Sequence, residues 1–147
     1  MVPNVHGLYH DMVISPNGDA YMERYYLPDV GKGKHRRWHH ILVDDPQLDL
    51  HDHPWDFTTK LVYGWYIEHT PEGVTEYHAP CVIHHKAEQL HRLELPEGDV
   101  WSYFLHGRVR RHWGFMTADG WIAYDQYPDM GTVVKGNSQG RRRVPSW

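Results

Sequence analysis

The sequence predicts an all-β fold built from short antiparallel strands. Turn signals recur along the chain, at residues 16–19, 31–33, 71–73, 96–99 and 118–120. Between these turns lie short runs rich in Tyr, Trp, Val and Ile, the residue types that favour strands. No stretch carries a long helical periodicity. Together these observations indicate strands joined by tight turns.

The individual strands follow from where the apolar and aromatic runs begin and end. The strongest hairpin signal is Asn17-Gly18, because a type I′ turn needs φ above zero at both central positions. Strands of this length and spacing predict a sandwich, a barrel or a jelly roll. We expect them at residues 20–27, 38–43, 61–69, 74–78, 81–85, 89–95, 101–106, 111–116 and 121–124.

The length and composition predict one domain over residues 1–147. We expect the first ~20 and the last ~15 residues to lie at its periphery. A single cysteine, Cys81, excludes an internal disulfide and fits a reducing compartment. No stretch reaches the roughly 18 apolar residues of a membrane span, and the N-terminus has no signal-peptide pattern. A cytoplasmic protein without membrane contact is therefore expected.

The charge balance bears on the kind of partner. The net charge is −4 with neutral histidines, which argues against broad nucleic-acid binding. Fourteen histidines are scattered along the chain, more than one small metal site needs. A small-molecule ligand or substrate is therefore the expected partner.

Two histidines two residues apart are the most informative motif. His51 and His53 lie in Leu50-His51-Asp52-His53-Pro54-Trp55, and side chains at i and i+2 of a strand share one face. Neutral imidazoles side by side can bind Zn, Fe, Cu or Ni. Two surface histidines on an edge strand are the alternative for an isolated pair. The apolar context and the Pro54-Trp55 sequel favour the metal interpretation.

These residues resemble the cupin superfamily, and more closely small phage-encoded cupins with an LHDHPW motif. His51 and His53 match the HxH pair of the first cupin motif. Residues 86–91, Lys-Ala-Glu-Gln-Leu-His, stand where the second motif, PxGxxH, is expected; they keep its His and lose its Pro and Gly. The resemblance implies an antiparallel double-stranded β-helix, the cupin jelly-roll barrel. It also implies His91 as the third metal ligand, whereas its alternating strand alone would predict a packed core histidine.

The carboxylate of the first cupin motif is missing, since its expected place falls at Phe57 or Thr58. Asp56 is nearby but has the wrong parity unless a bulge intervenes. Two ligand sets therefore stay open: the three histidines alone, or these three with Asp56. The three-histidine set resembles cysteine-dioxygenase-type cupins, so a divalent transition metal is expected, iron first and zinc, manganese or nickel as alternatives.

Other side chains are candidates for substrate contact or proton transfer. Arg24 and Arg110 could clamp a carboxylate at the barrel mouth, although a surface salt bridge is the simpler role. Trp55 could form an aromatic wall against a substrate. Tyr103 and His106 are candidate acid–base groups, with packing as the alternative.

The sequence supports three functions. The first is a mononuclear metal-dependent enzyme of the oxygenase type, acting on a small polar or thiol-containing molecule. The second is a non-catalytic ligand-binding or structural cupin associated with a phage. The third, a metal-free sugar epimerase-like cupin, is weaker because the histidines are spaced as ligands. The resemblance also implies a homodimer, and the fold alone does not choose among these functions.

Overall fold

A computed structural model describes residues 2–136 and the backbone of 141–142. Within that part of the chain there is no α-helix, and one turn of 3-10 helix covers Tyr124–Gln126. No helix there has the length and apolarity needed to cross a membrane. The strands, numbered in chain order, are β1 Tyr9–Ile14, β2 Ala20–Tyr26, β3 His35–Ile41, β4 Leu50–His51, β5 Phe57–Tyr63, β6 Trp65–Thr70, β7 Gly73–His78, β8 Cys81–His85, β9 Arg92–Glu94, β10 Val100–His106, β11 Gly114–Thr117, β12 Gly120–Ala123, β13 Thr132–Lys135 and β14 Arg141–Arg142.

The strands form one large sheet and two small ones. The large sheet has the order β14-β13-β1-β2-β3-β10-β5-β8, and the small sheets have the orders β12-β11-β4 and β7-β6-β9. Every paired neighbour is antiparallel. Among the described residues a single isolated β-bridge, His51–His91, joins β4 to the start of β9. The two small sheets thereby make one second layer.

The core lies between these two layers. Met22, Leu61 and Val100 of the large sheet are fully buried, and they pack in one cluster with Tyr66 and Leu95 of the second layer. A second, aromatic cluster of Trp55, Phe57 and Phe104 adjoins it. Burial of such side chains from both layers stabilises the pairing of the sheets.

The Asn17-Gly18 hairpin is confirmed, but its turn is not type I′. Ser15 donates its backbone N–H to Asp19 (2.8 Å) and accepts the N–H of Gly18 (2.9 Å). Gly18 alone in this loop has a positive φ, at +95°. Pro16, whose ring holds φ near −65°, occupies the first central position, which suits a type I turn and excludes its mirror image. The loop therefore has three residues and ends in a bulge-type glycine.

Two further expectations differ from the structure. Strand β1 was not predicted, and it lies inside the large sheet between β2 and β13, so the first 20 residues are not wholly peripheral. The last 15 residues fall largely outside the described part of the chain. The strand expected over residues 61–69 is broken at Gly64, whose φ is +84°, and becomes β5 and β6. This break reverses the alternation of inward and outward side chains after Gly64.

Candidate metal centre

Three histidines from separate parts of the chain converge inside the barrel. His51 ends β4, His53 follows two residues later, and His91 stands at the β-bridge before β9. Their ring centroids are 5.0 Å apart for His51–His53 and 4.9 Å for the other two pairs. One nitrogen from each ring lies within 4.8 Å of the other two. The relative exposures of the three side chains are 3%, 1% and 5%, so the predicted triad is one buried cluster.

Backbone pairing sets this convergence. His51 donates its N–H to the carbonyl of His91 (3.0 Å) and receives the N–H of His91 in return (2.9 Å). The N–H of His53 binds the carbonyl of Ala87 (2.9 Å). The intervening Asp52 accepts bonds from the N–H of Gly114 (2.7 Å) and the indole of Trp121 (2.9 Å). Alternation along this segment thus directs the imidazoles inward while Asp52 anchors the neighbouring strands.

A buried carboxylate that the sequence did not indicate stands behind the triad. Glu68 of β6 accepts hydrogen bonds at Oε2 from Nδ1 of His91 (2.7 Å) and Nε2 of His85 (2.6 Å). Burial would raise the pKa of Glu68, but the hydrogen bonds from His85 and His91 outweigh it and lower the pKa to about 2. The carboxylate therefore stays ionised and holds the proton of His91 on Nδ1. Nε2 of His91 is then the nitrogen available to a metal.

Glu68, His85 and His91 also form a second group whose ligand atoms lie within 4.8 Å of one another. Glu68 is therefore a site residue that sequence reasoning missed. The signal for Glu68 is its position two residues after the buried Tyr66 on one strand face. This position can be recognised as buried only if the strand break at Gly64 is known. In one continuous strand over residues 61–69, Glu68 would lie on the outward face.

Burial bears on the protonation state of the first two candidate ligands. Loss of hydration lowers the pKa of His51 to about 3 and that of His53 well below its usual range. Both rings are therefore neutral at physiological pH, the form that binds a metal. Three clustered imidazoles and a carboxylate partner fit a divalent transition metal, and the residues that would hold it are His51, His53 and His91.

Aromatic side chains pack against the histidine cluster. Phe57 lies 4.4 Å and Trp55 5.6 Å from the ring of His53, and both are buried. The cavity bordered by His53, His85 and His91 has a volume of about 30 Å³. A water needs about 10–15 Å³ of such space, so the cavity has room for two or three water-sized molecules.

Asp56 does not join the histidines. Its Oδ1 accepts the N–H of Ala87 (2.9 Å) and a guanidinium N–H of Arg110 (2.6 Å). The backbone bond from Ala87 and the nearby Arg110 hold the pKa of Asp56 below its usual value. The bulge that would have turned Asp56 inward is not present, and the structure groups the three histidines without it.

The two arginines predicted for substrate binding are engaged in ion pairs with other residues. Arg24 is buried, with 3% exposure, and grips Asp11 through Nε–Oδ1 (2.8 Å) and Nη2–Oδ2 (3.0 Å) bonds. Its guanidinium thus serves an internal ion pair instead of the barrel mouth. Arg110 is exposed and pairs with Asp56 and Glu88 (2.6 and 3.1 Å).

The two candidate acid–base residues, Tyr103 and His106, lie on opposite faces of β10, because side chains alternate along a strand. Tyr103 packs edge-on against Trp38, 5.4 Å away, on the face opposite the buried Phe104. His106 stacks on Trp55 at 4.2 Å, and Trp55 in turn stacks on His53. Burial lowers the pKa of His106 to about 4. The structure therefore links Trp55 and His106 to the triad through stacked rings and leaves Tyr103 away from it.

Neither the family models nor the curated proteins compared with the sequence give a match. Solved structures resemble the fold. A cupin 2 conserved barrel domain protein from Rhodopseudomonas palustris has a TM-score of 0.57 at 10% identity, over 82% of this chain and 77% of that one. A cupin-2 domain from Rhodospirillum rubrum has a TM-score of 0.56 at 12% identity, over 67% and 68%.

A third similar structure is an uncharacterized conserved protein with a double-stranded beta-helix domain from Klebsiella pneumoniae. Its TM-score is 0.52 at 14% identity, over 65% of this chain and 84% of that one. Identities this low carry the fold alone. The chain therefore has the antiparallel double-stranded β-helix fold of the cupin jelly-roll proteins.

Proposed function

We propose that this protein binds one divalent transition metal through His51, His53 and His91. The observation that carries the proposal is the near-equal spacing of the three rings, 4.9–5.0 Å between centroids, inside the barrel. Glu68 supports it by holding His91 in the tautomer that leaves Nε2 for a metal. Iron is the metal expected first, with zinc, manganese and nickel as the alternatives.

The reaction proposed for this centre is of the oxygenase type, on a small polar or thiol-containing molecule. When bound, the metal would supply Lewis acidity and open coordination positions. Three neutral ligands leave its full charge in place, which favours an anionic substrate group. The protein's own contribution is to restrict the space around the centre: Phe57 and Trp55 border the cluster, and the cavity beside it has about 30 Å³.

A second candidate is a non-catalytic cupin, in which the metal stiffens the barrel. The small volume of the cavity favours it, because a substrate larger than a few water molecules would have to displace the side chains that line it. A phage-associated ligand-binding or structural role is part of this second candidate. A single domain over residues 1–147, a cytoplasmic location and a homodimer are proposed for either function.

Metal content measured by plasma mass spectrometry on tag-free protein tests the site. We expect near-stoichiometric metal in the wild type and none in the His51→Ala/His53→Ala variant. His78→Ala, which changes an exposed histidine of β7, is the matched control and should keep the metal. Absence of metal from the wild type after reconstitution with each of the four metals would overturn the proposal.

Oxygen consumption separates the two candidate functions. Metal-loaded protein is supplied with small thiols and hydroxy or keto acids in turn. Turnover that disappears in the His51→Ala/His53→Ala variant supports the oxygenase. A bound metal that raises the melting temperature without any oxygen uptake supports the structural role.

A further inference from the structure

An open groove lies on the outer side of the barrel, next to the buried histidines. Its volume is about 510 Å³, within the roughly 300–1,000 Å³ typical of small-molecule sites. Phe57 and His85 line both this groove and the inner cavity. Their rings stack at 4.7 Å with an 8° angle between planes. One aromatic layer therefore separates the groove from the candidate metal centre.

Cationic side chains outnumber carboxylates in the groove, although the net charge of the protein is −4. Four cationic side chains line it, those of Lys34, Lys86, Arg108 and Arg110, against the single carboxylate of Asp56. Arg110 is committed to Asp56 and Glu88. The other three cations make no ion pair with any residue of 2–136. Their charge is thus left for a ligand from solution.

The backbone at residues 31–34 makes room for the side chain of one of these cations, Arg108. Gly33 has a φ of +70°, and a Cβ added there would collide with the side chain of Arg108. The absent Cβ therefore lets Arg108 lie against this loop, beside Lys34. A planar guanidinium can bind a carboxylate or a phosphoryl group through two parallel N–H bonds.

We infer that this groove binds a small-molecule oxyanion with at least two negative charges, carried on phosphoryl or carboxylate groups. The inference goes beyond the proposed metal chemistry and does not depend on it, because none of the four cations belongs to the histidine cluster. Arg108 and Lys34 hold one end of the anion, and Lys86 neutralises the other. The bound molecule lies against Phe57 and His85, outside the buried triad.

Calorimetric titration of the metal-free protein at low ionic strength tests the inference. Pyrophosphate probes the phosphoryl source of the charge and citrate the carboxylate source. We expect one of them to bind to the wild type and the affinity to fall roughly tenfold or more in the Lys34→Gln/Arg108→Gln variant, since two charge-assisted contacts are lost. Lys60→Gln, which removes an exposed lysine of β5 outside the groove, is the matched control and should bind unchanged.

Three results would overturn the inference: neither anion binds, the double variant binds as the wild type does, or a single-stranded oligonucleotide binds tighter than both probes. The last result would mean that the cations serve a nucleic-acid backbone. The same titration with the His51→Ala/His53→Ala variant separates this inference from the proposed function. Retained anion binding in this variant leaves the groove intact, whereas anion binding that needs the triad, in protein without metal, assigns the anion to the histidine cluster and refutes the groove.

Discussion

His51 and His91 exchange both of their backbone hydrogen bonds, at 3.0 and 2.9 Å, while their imidazole rings lie 4.9 Å apart. The spacing of two candidate ligands is therefore set by main-chain pairing as well as by side-chain rotamers. The same pair is the β-bridge that joins the two small sheets. A metal held by these side chains would cross-link the second layer at its junction.

Replacement of His91 by alanine should separate metal binding from folding. The backbone bonds of the bridge do not use the imidazole, so His91→Ala is expected to keep the β-sheet circular dichroism. Metal at a hundred times its dissociation constant stabilises a protein by about 2.7 kcal/mol, which corresponds to several degrees in melting temperature. We expect this shift in the wild type and in His78→Ala but not in His91→Ala. An equal shift in all three proteins would exclude His91 as a ligand.

Neutralisation of Glu68 should weaken the metal site without removing a proposed ligand. Glu68→Gln loses the charge that holds Nδ1–H of His91, and loss of such a partner costs about 10–100-fold in metal affinity. Glu94→Gln changes a half-exposed carboxylate on β9 that binds His69 (2.8 Å), and should leave the affinity unchanged. Competition with a chromogenic chelator measures both. Equal affinities in the two variants would mean that Glu68 does not orient His91.

Acid should destabilise the protein in part through His106. Burial lowers the pKa of its folded form to about 4, against an ordinary value of 6.5. Between these values the unfolded chain takes up a proton that the folded protein does not, so stability is fully present above pH 6.5 and falls as the pH drops toward 4. His106→Phe keeps a ring to stack on Trp55 and should make the melting temperature less dependent on pH in this window. An unchanged pH profile would contradict this assignment.

Gly64 should be hard to replace, because it joins β5 to β6 with a φ of +84°. A Cβ at this position would lie 2.8 Å from the carbonyl oxygen of Asp99. Gly64→Ala is expected to reduce the free energy of unfolding by about 1–2 kcal/mol or more, from left-handed strain and this close contact. Gly107→Ala, whose nearest such neighbour is the Asp56 carbonyl at 4.0 Å, is the control. Urea denaturation compares the two, and equal losses would show that the turn tolerates a side chain.

Local patterns in the sequence reach the all-β class and the pair His51 and His53, whereas the jelly-roll barrel and the third histidine, His91, are implied only by the cupin resemblance. Turn residues mark the strands, and the i, i+2 spacing of His51 and His53 survives although β4 itself ends at His51. Glu68 is out of reach for a different reason. Its role depends on the pairing of β6 with β9, where Glu68 stands opposite Leu93, and on the reversal of side-chain alternation at Gly64. Neither the pairing nor the reversal leaves a local signature in the chain.

The partners of Arg24 show the same limit. Its position on β2 predicts a side chain near the barrel mouth, but Asp11 lies on β1, a strand that sequence reasoning did not find. Residues 11 and 24 become direct neighbours only through the β1–β2 register. Long-range pairing, and not residue type, decides whether such a charge faces solvent or an internal counter-charge.

The junction at His51–His91 has a consequence for the lifetime of a bound ion. A β-bridge is the shortest form of strand pairing. The two small sheets can therefore separate there by breaking fewer hydrogen bonds than separation of β6 from β7 or of β11 from β12 would require. If an ion spans the junction, parting of the two small sheets and escape of the ion become the same event. The residence time of the metal would then report how often the two small sheets separate at this junction.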